Sequence, residues 1–417
     1  MVLFIALPVF FWSLDQAKEA TWSTRIYDIG RLAALIGFVI IVFQYLFISR
    51  IKWIERGIGL DRLLAVHKYF GIIILILTFT HPGLLFLSEK IQGSSTPIGL
   101  IKIMGFIALI LVWFAAGAAM IYGKVNISYE IWKRIHFAGY LVFPIAFLHS
   151  FLIGSTVQRG PLPLFWLALG LLYIWFISSR IFKRYKLRRN PFIVKAIVKE
   201  ADKIWSLYFK GRHKGFSPGQ FMIIRLVRNG RISEPHPFTI VSEPAEKTLS
   251  ICIKEVGDFT SAIGGTTSND TAFIDMPYGA FSFHYHDSER LVFIAGGIGI
   301  TPFISMLRDI YVRKLEKKVT LVWGNRTEKE IAFRDELDRM ASEMPGFKIV
   351  YVLSKQVNWQ GEKGRIGRSV LEKHVGEFHK GEFFLCGPPA MMDDIKKILN
   401  DLGVSRKRIQ TERFALK

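Results

Sequence analysis

Residues 63–87 read LLAVHKYFGIIILILTFTHPGLLFL, and residues 131–153 read IWKRIHFAGYLVFPIAFLHSFLI. A helix needs about 20 apolar residues to cross the hydrocarbon core of a bilayer, and both stretches are long enough. Each carries two histidines: His67 and His81 in the first, His136 and His149 in the second. Ionisable residues inside membrane spans are costly and mark function. Spacings of fourteen and thirteen positions separate the members of each pair by about 20 Å along a helix, at 1.5 Å per residue. Two levels follow, His67 with His136 and His81 with His149. Each level offers two neutral imidazoles to one iron, the pattern of two stacked six-coordinate haems. A hydrogen-bonded core histidine or a proton relay is the plain alternative for any one of the four. Fourteen positions keep His67 and His81 on one face. Thirteen leave His136 and His149 about 140° apart on an ideal helix, which a kink or local unwinding near Pro144 would correct.

Working outward, further apolar runs lie at 28–49, 100–121 and 163–182. A shorter run at 2–14 contains Pro8 and lacks a basic n-region, so it reads as a short first span rather than a signal peptide. Six spans put both termini on one side. The 417 residues are 51% hydrophobic and 14% aromatic, which excludes a disordered chain. The apolar excess lies before about residue 180, and most of the net charge of +21 lies after it. No nucleic-acid module accompanies that charge, so a membrane surface explains it better. Lys and Arg crowd the connections 50–62, 122–134 and 180–189, whereas the opposite connections hold Lys18, Arg25, Lys90 and Arg159. The charged half is therefore expected on the cytoplasmic side, with 180–189 as a hinge able to grip anionic lipid. Two cysteines, Cys252 and Cys386, are too few for a disulfide framework and suit a reducing compartment. Arg31, near the outer end of its span, is either a partner for a propionate of the outer haem or a snorkelling cation. Phe143 falls between the two histidine levels.

From residue 192 the pattern changes to alternating strands, among them Phe192–Lys199, Trp205–Lys210 and Phe221–Val227, with a turn at Pro218-Gly219. A small antiparallel barrel is expected up to about residue 285. Beyond it, strands Leu291–Ala295, Val319–Trp323, Lys348–Leu353 and Phe383–Cys386 alternate with helices Pro302–Lys314, Glu328–Met344 and Pro389–Leu402, as in a doubly wound domain. In His236-Pro237-Phe238-Thr239, Phe238 offers a wall and Thr239 a hydroxyl to a planar flavin, and His236 can approach its diphosphate. Gly257-Asp258-Phe259-Thr260 reads as a small loop whose backbone could hold phosphate. The run Gly296-Gly297-Ile298-Gly299-Ile300-Thr301-Pro302 follows a strand and opens a helix, the setting for a diphosphate at a helix N-terminus. Arg326 at the next strand tip favours a 2′-phosphate and hence NADPH. Cys386-Gly387-Pro388 places Cys386 near a nicotinamide ring; a buried structural thiol is the alternative. Phe414, near the C-terminus, could cover the flavin until nicotinamide displaces it.

These motifs together resemble the ferric reductase-like superfamily, specifically NADPH oxidases and their prokaryotic homologues, over almost the whole chain. The His-Pro-Phe-Thr signature stands at 236–239, and the family's Gly-Asp-Trp-Thr stands here with Phe259 in place of Trp. The glycine-rich nicotinamide loop matches 296–302, and Cys-Gly-Pro matches 386–388. Phe414 matches the C-terminal flavin-stacking aromatic, with Ala415, Leu416 and Lys417 beyond it. The resemblance implies three parts. Residues 1–187 would form a membrane α-helical bundle of six spans with two b-type haems, 188–287 a cytoplasmic FAD-binding β-barrel, and 288–417 an α/β doubly wound NADPH domain. It implies electron transfer from cytosolic NADPH through FAD and two haems to extracellular O2, giving superoxide, with Thr239, Cys386 and Phe414 at the hydride-transfer centre. It further implies a multi-pass plasma-membrane enzyme in contact with lipid, without an obligatory activator subunit; a chain without appended modules suggests a prokaryote. A cell-surface ferric or cupric reductase, with a ferric chelate as acceptor, shares the internal chain. So does a subunit delivering electrons to a partner protein or quinone.

Overall fold

The structure, a computed structural model, describes residues 1–15, 21–49, 51–94, 97–122, 124–125, 127, 129–228 and 230–413. The chain divides into two units, Met1–Lys183 and Arg184–Lys417.

The first unit is helical. Its described helices are α1 (Val2–Leu14), α2 (Trp22–Ile48), α3 (Lys52–Ile58), α4 (Leu60–Gln92), α5 (Leu100–Ile121), α6 (Tyr129–Phe137), α7 (Val142–Ile153) and α8 (Leu162–Arg189). Five described stretches are long and apolar enough to cross a membrane: Trp22–Ile48, Arg62–Gln92, Leu100–Ile121, Ile131–Ile153 and Leu162–Arg189. The sixth, α1, is apolar but shorter. α2 is the centre of the bundle, with Val39 and Val42 fully buried. Phe38 of α2 stacks on Trp166 at 5.1 Å and on Phe143 at 5.2 Å. By contrast, Ile76, Phe79 and Phe86 of α4 and Ile107, Ile110 and Phe114 of α5 point outward. So much exposed apolar surface belongs in lipid rather than water.

The fourth long stretch is not one regular helix. A 3₁₀ segment, Ala138–Leu141, joins α6 to α7, just ahead of Pro144. A 3₁₀ turn rotates the chain about 20° more per residue than an α-helix, so four residues recover roughly 80° of the phase error between His136 and His149. Pro144 has no N–H for the Tyr140 carbonyl four residues before it. The Tyr173 hydroxyl donates to that carbonyl at 2.6 Å, and the Tyr45 hydroxyl donates to the Gly139 carbonyl at 2.7 Å.

The second unit holds two sheets. In the first, β1 (Phe192–Ala201), β2 (Ile204–Lys210), β3 (Phe221–Arg228), β4 (Arg231–Ile232), β5 (His236–Thr239), β6 (Thr248–Lys254) and β7 (Thr271–Tyr278) pair antiparallel in the order β4-β3-β7-β1-β2-β6, with β5 on β3. An isolated pairing of Ile240 with Ile251 ties the end of β5 to β6. The Gly257–Thr260 stretch is not a loop; residues Asp258–Ser261 form a single turn of helix, α9, whose Thr260 hydroxyl accepts from the Gly257 N–H at 2.9 Å.

The second sheet is parallel. It contains β8 (Arg290–Gly296), β9 (Lys318–Asn325), β10 (Phe347–Leu353), β11 (Glu362–Lys363), β12 (Glu382–Cys386) and β13 (Ile409–Glu412), in the order β11-β10-β9-β8-β12-β13. Residues 291–295 and 383–386 are fully buried, as strands covered on both faces must be. Helices α10 (Thr301–Val312), α11 (Arg334–Glu343), α12 (Arg368–His374) and α13 (Pro389–Asp401) pack with it. The single helix expected over Glu328–Met344 is broken. Ile331, Ala332 and Phe333 are buried instead of spiralling on, and Phe333 takes a left-handed φ of 57° before α11 begins. The Arg308 guanidinium lies 5.5 Å over the Phe333 ring and holds this corner.

Candidate functional site

The helices bring the four histidines together as two pairs. The rings of His67 and His136 are 6.0 Å apart and inclined at 79°; those of His81 and His149 are 6.4 Å apart at 76°. Two metal–imidazole bonds of about 2.0–2.1 Å on opposite sides of one ion, with each ring centre about 1 Å behind its nitrogen, give a centre separation of about 6.1 Å. Each pair therefore fits around a single metal ion, and two ligands per ion leave the equatorial plane for a macrocycle. The second nitrogens fit as well. Nδ1 of His81 lies 3.0 Å from the Gly30 carbonyl, that of His136 3.0 Å from the Ala115 carbonyl, and that of His149 2.8 Å from the Ile101 carbonyl. A backbone acceptor at Nδ1 fixes the proton there and leaves Nε2 free to ligate. His67 Nδ1 is buried beside the Gln44 backbone without a well-formed hydrogen bond. Gly105 makes room for the His149 ring: a Cβ there would stand 2.6 Å from Cε1 and 2.9 Å from Nδ1.

Arg31 is held in a polar cluster. Its guanidinium is bound by Asp15, by Asp28 at 3.0 Å and by the Thr156 hydroxyl, and Asp15 also pairs with Arg159. Buried charges are paired in this way because removal from water is otherwise prohibitive. Asp15 and Thr156 escaped the sequence reading because partners 16 and 125 positions from Arg31 leave no local pattern, and Asp28, three positions away, was passed over. Phe143 is buried between Tyr173 at 4.5 Å and Phe38.

In the second unit the strand order reverses between β8 and β12, and ligands of open α/β sheets bind at the carboxyl ends of strands at such a point. The motif residues meet there. Gly299 lies so close to the other loop that a Cβ would stand 2.3 Å from the Cys386 carbonyl oxygen, and a Cβ on Gly296 would strike Pro388 and Met391 at 2.7 Å. Gly297 has a φ of 53°, and its carbonyl accepts from the Trp323 indole N–H at 2.9 Å. Thr301 and Pro302 open α10, and Gly387 and Pro388 lead into α13, so two helix N-termini face this junction. The Cys386 thiol is fully buried, and that burial pushes its pKa well up, which keeps it neutral. Arg326 is exposed at the end of β9. Next to it the Asn325 side chain is buried with both amide atoms unpartnered, polar capacity that a nucleotide could satisfy.

The flavin motif is a cluster of rings. His236 stacks on Phe259 at 3.8 Å, and Phe238 lies 6.1 Å from Phe259. Pro237 and Thr239 sit in the β3–β5 ladder opposite Ile223 and Phe221. Burial lowers the His236 pKa from its ordinary value. Arg228, which the sequence reading missed, lies 5.7 Å over the Phe259 ring and donates through Nη1 to the Ala262 carbonyl at 2.8 Å. Its Nε and Nη2 are buried without partners. Burial lowers its pKa as well. Orphaned guanidinium donors beside aromatic rings fit the diphosphate of a flavin dinucleotide. Phe414 lies outside the described residues.

A dinucleotide-binding sheet and an antiparallel flavin-type sheet, joined in one chain with a bundle of apolar helices, define a class: membrane-bound NAD(P)H oxidoreductases that transfer electrons. Family models place the chain within it. A ferric reductase like transmembrane component matches residues 33–147, an FAD-binding domain 192–299, and an oxidoreductase NAD-binding domain 293–397. The chain thus joins a ferric reductase-like transmembrane component to FAD-binding and oxidoreductase NAD-binding domains. The NADH-cytochrome b5 reductase 1 of Meyerozyma guilliermondii is 33% identical over 200 residues, 46% of this chain and 70% of that protein. Reductase component 1 of terephthalate 1,2-dioxygenase from Comamonas sp is 25% identical over 210 residues, 49% of this chain; the chain spans 61% of that relative's length. Among solved structures, a flavohemoglobin from Malassezia yamatoensis has a TM-score of 0.51 at 18% identity, over 95% of this chain and 99% of that one, a likeness of fold.

Proposed function

We propose that the chain is a transmembrane NADPH oxidase that takes electrons from cytosolic NADPH and delivers them to O2 on the outer side as superoxide. The observation that carries this reading is the two histidine pairs, with ring centres 6.0 and 6.4 Å apart. When bound, FAD would exchange a two-electron hydride for single electrons, and two b-type haems would relay those across the bilayer. His67 with His136, and His81 with His149, would each hold one iron through two imidazoles. An acceptor must then take electrons without binding iron, which suits one-electron reduction of O2. The loops 296–302 and 386–388 receive the nicotinamide nucleotide, and Arg326 meets a 2′-phosphate. Arg228 and His236 would hold the flavin diphosphate and Thr239 would bond the ring, with Phe414 the candidate to cover it. The Lys- and Arg-rich connections set the second unit on the cytoplasmic side of a plasma membrane, in contact with lipid, without a required activator subunit and in a prokaryotic cell. Pyridine-haemochrome and flavin assays on the purified chain test the reading. Two haems per FAD are expected, and one in either His67→Ala or His81→Ala. A wild-type chain that retains no haem contradicts it.

A further inference from the structure

Three rings stack in a row at the junction of α5 and α6. Tyr122 caps the C-terminus of α5 and lies 4.8 Å from Trp132 at an interplanar angle of 28°. Trp132 lies 5.3 Å from His136 at 17°. Trp132 and His136 are four positions apart on α6 and share a face. Tyr122 is 40% exposed, so near-parallel π contact runs from the surface of the first unit to a ring of the His67–His136 pair. Among the described residues no such stack leads to His81 or His149. An indole anchored at a lipid interface is the ordinary role for a tryptophan at a span end. Here the indole is half-buried, and both Tyr122 and His136 stack against it.

We propose that Tyr122 and Trp132 are the electron-entry relay into the His67–His136 pair, an inference that rests on the haem reading above. With FAD and haem bound, one electron would pass from the reduced flavin to ferric iron held by that pair, which becomes ferrous; neither ring is itself oxidised, and as the flavin loses its electrons its N–H bond breaks and the proton goes to water. The rings supply a continuous path of overlapping orbitals in place of aliphatic packing and gaps.

The test uses the full chain loaded with FAD and haem, as wild type, Trp132→Leu, Trp132→Phe and Tyr122→Leu. Anaerobic stopped-flow mixing with NADPH follows the flavin and the haem bands separately. Low-spin EPR and redox titration report the ligation and potential of the iron. We expect several-fold slower haem reduction in Trp132→Leu and Tyr122→Leu, largely restored in Trp132→Phe, with flavin reduction, haem content, EPR signal and potential unchanged. Tyr122→Leu is the sharper variant because it leaves the Trp132 ring that stacks on His136 in place. Unchanged haem reduction in Tyr122→Leu overturns the relay. If Trp132→Leu alone is slow, with a shifted EPR signal or potential, Trp132 only orients His136, and the relay is again overturned. A wild-type chain without haem sinks the haem reading itself, a result distinguishable from either.

Discussion

At the scale of single residues, Gly105 is the tightest constraint on the His81–His149 pair. A methyl group there would stand 2.6 Å from the imidazole it faces, and the His149 Nδ1 is held at 2.8 Å by the Ile101 carbonyl. Overpacking of this kind costs about 1–3 kcal/mol. Gly105→Ala is expected to bind one haem instead of two, read by haemochrome assay; two retained haems would refute the crowding argument. The thiols give a second prediction. Burial pushes Cys252 from 9.0 up to about 12, and pushes Cys386 well above the same ordinary value. Both stay protonated in the folded state, while the unfolded chain loses those protons above pH 9. The fold thus binds more protons in that window, and stability falls as the pH rises from 9 towards 12. Iodoacetamide at pH 8 is expected to leave both unmodified until denaturant is added, as mass spectrometry would show. The four histidines were legible in the sequence because charge-bearing side chains inside apolar runs stand out. Gly105 and the partners of Arg31 were not, because close approach and distant pairing leave no mark on local composition.

At the scale of elements, two irregularities matter. The phase mismatch between His136 and His149 was visible as arithmetic, and Pro144 pointed to its remedy. The remedy itself, a 3₁₀ turn with carbonyls taken by Tyr45 and Tyr173, depends on helices α2 and α8 and was not visible. The break at 331–333 was misread for a related reason: helical periodicity on either side hid an apolar triplet that packs under Arg308. Arg308 makes paired bonds of 2.7 Å to both Glu336 oxygens and donates to the Val241 carbonyl at 3.2 Å, while Ser305 donates to the Ser242 carbonyl at 2.8 Å. α10 is thereby tied to the chain between β5 and β6. Arg308→Leu leaves Glu336 without its partner and is expected to destabilise the second unit by roughly 2–3 kcal/mol, the usual worth of hydrogen bonds to charged groups. Hydrogen exchange of α10 and α11 would rise; unchanged protection would assign the restraint elsewhere.

At the scale of the whole molecule, the division into an apolar helical unit and a charged two-sheet unit was legible from composition alone, since hydropathy and charge change together near residue 180. The strand order of the parallel sheet was not, because local pattern does not say which side of β8 each later strand joins. That order is what brings 296–302 and 386–388 to one point. The central claim is that electrons entering at that point leave through the two histidine pairs. The most direct measurement mixes NADPH anaerobically with the purified chain carrying FAD and haem, follows the haem bands, and then admits air in the presence of cytochrome c. The account predicts that both haems become reduced and that air then yields cytochrome c reduction abolished by superoxide dismutase. Haems that stay oxidised while the flavin is reduced would contradict it.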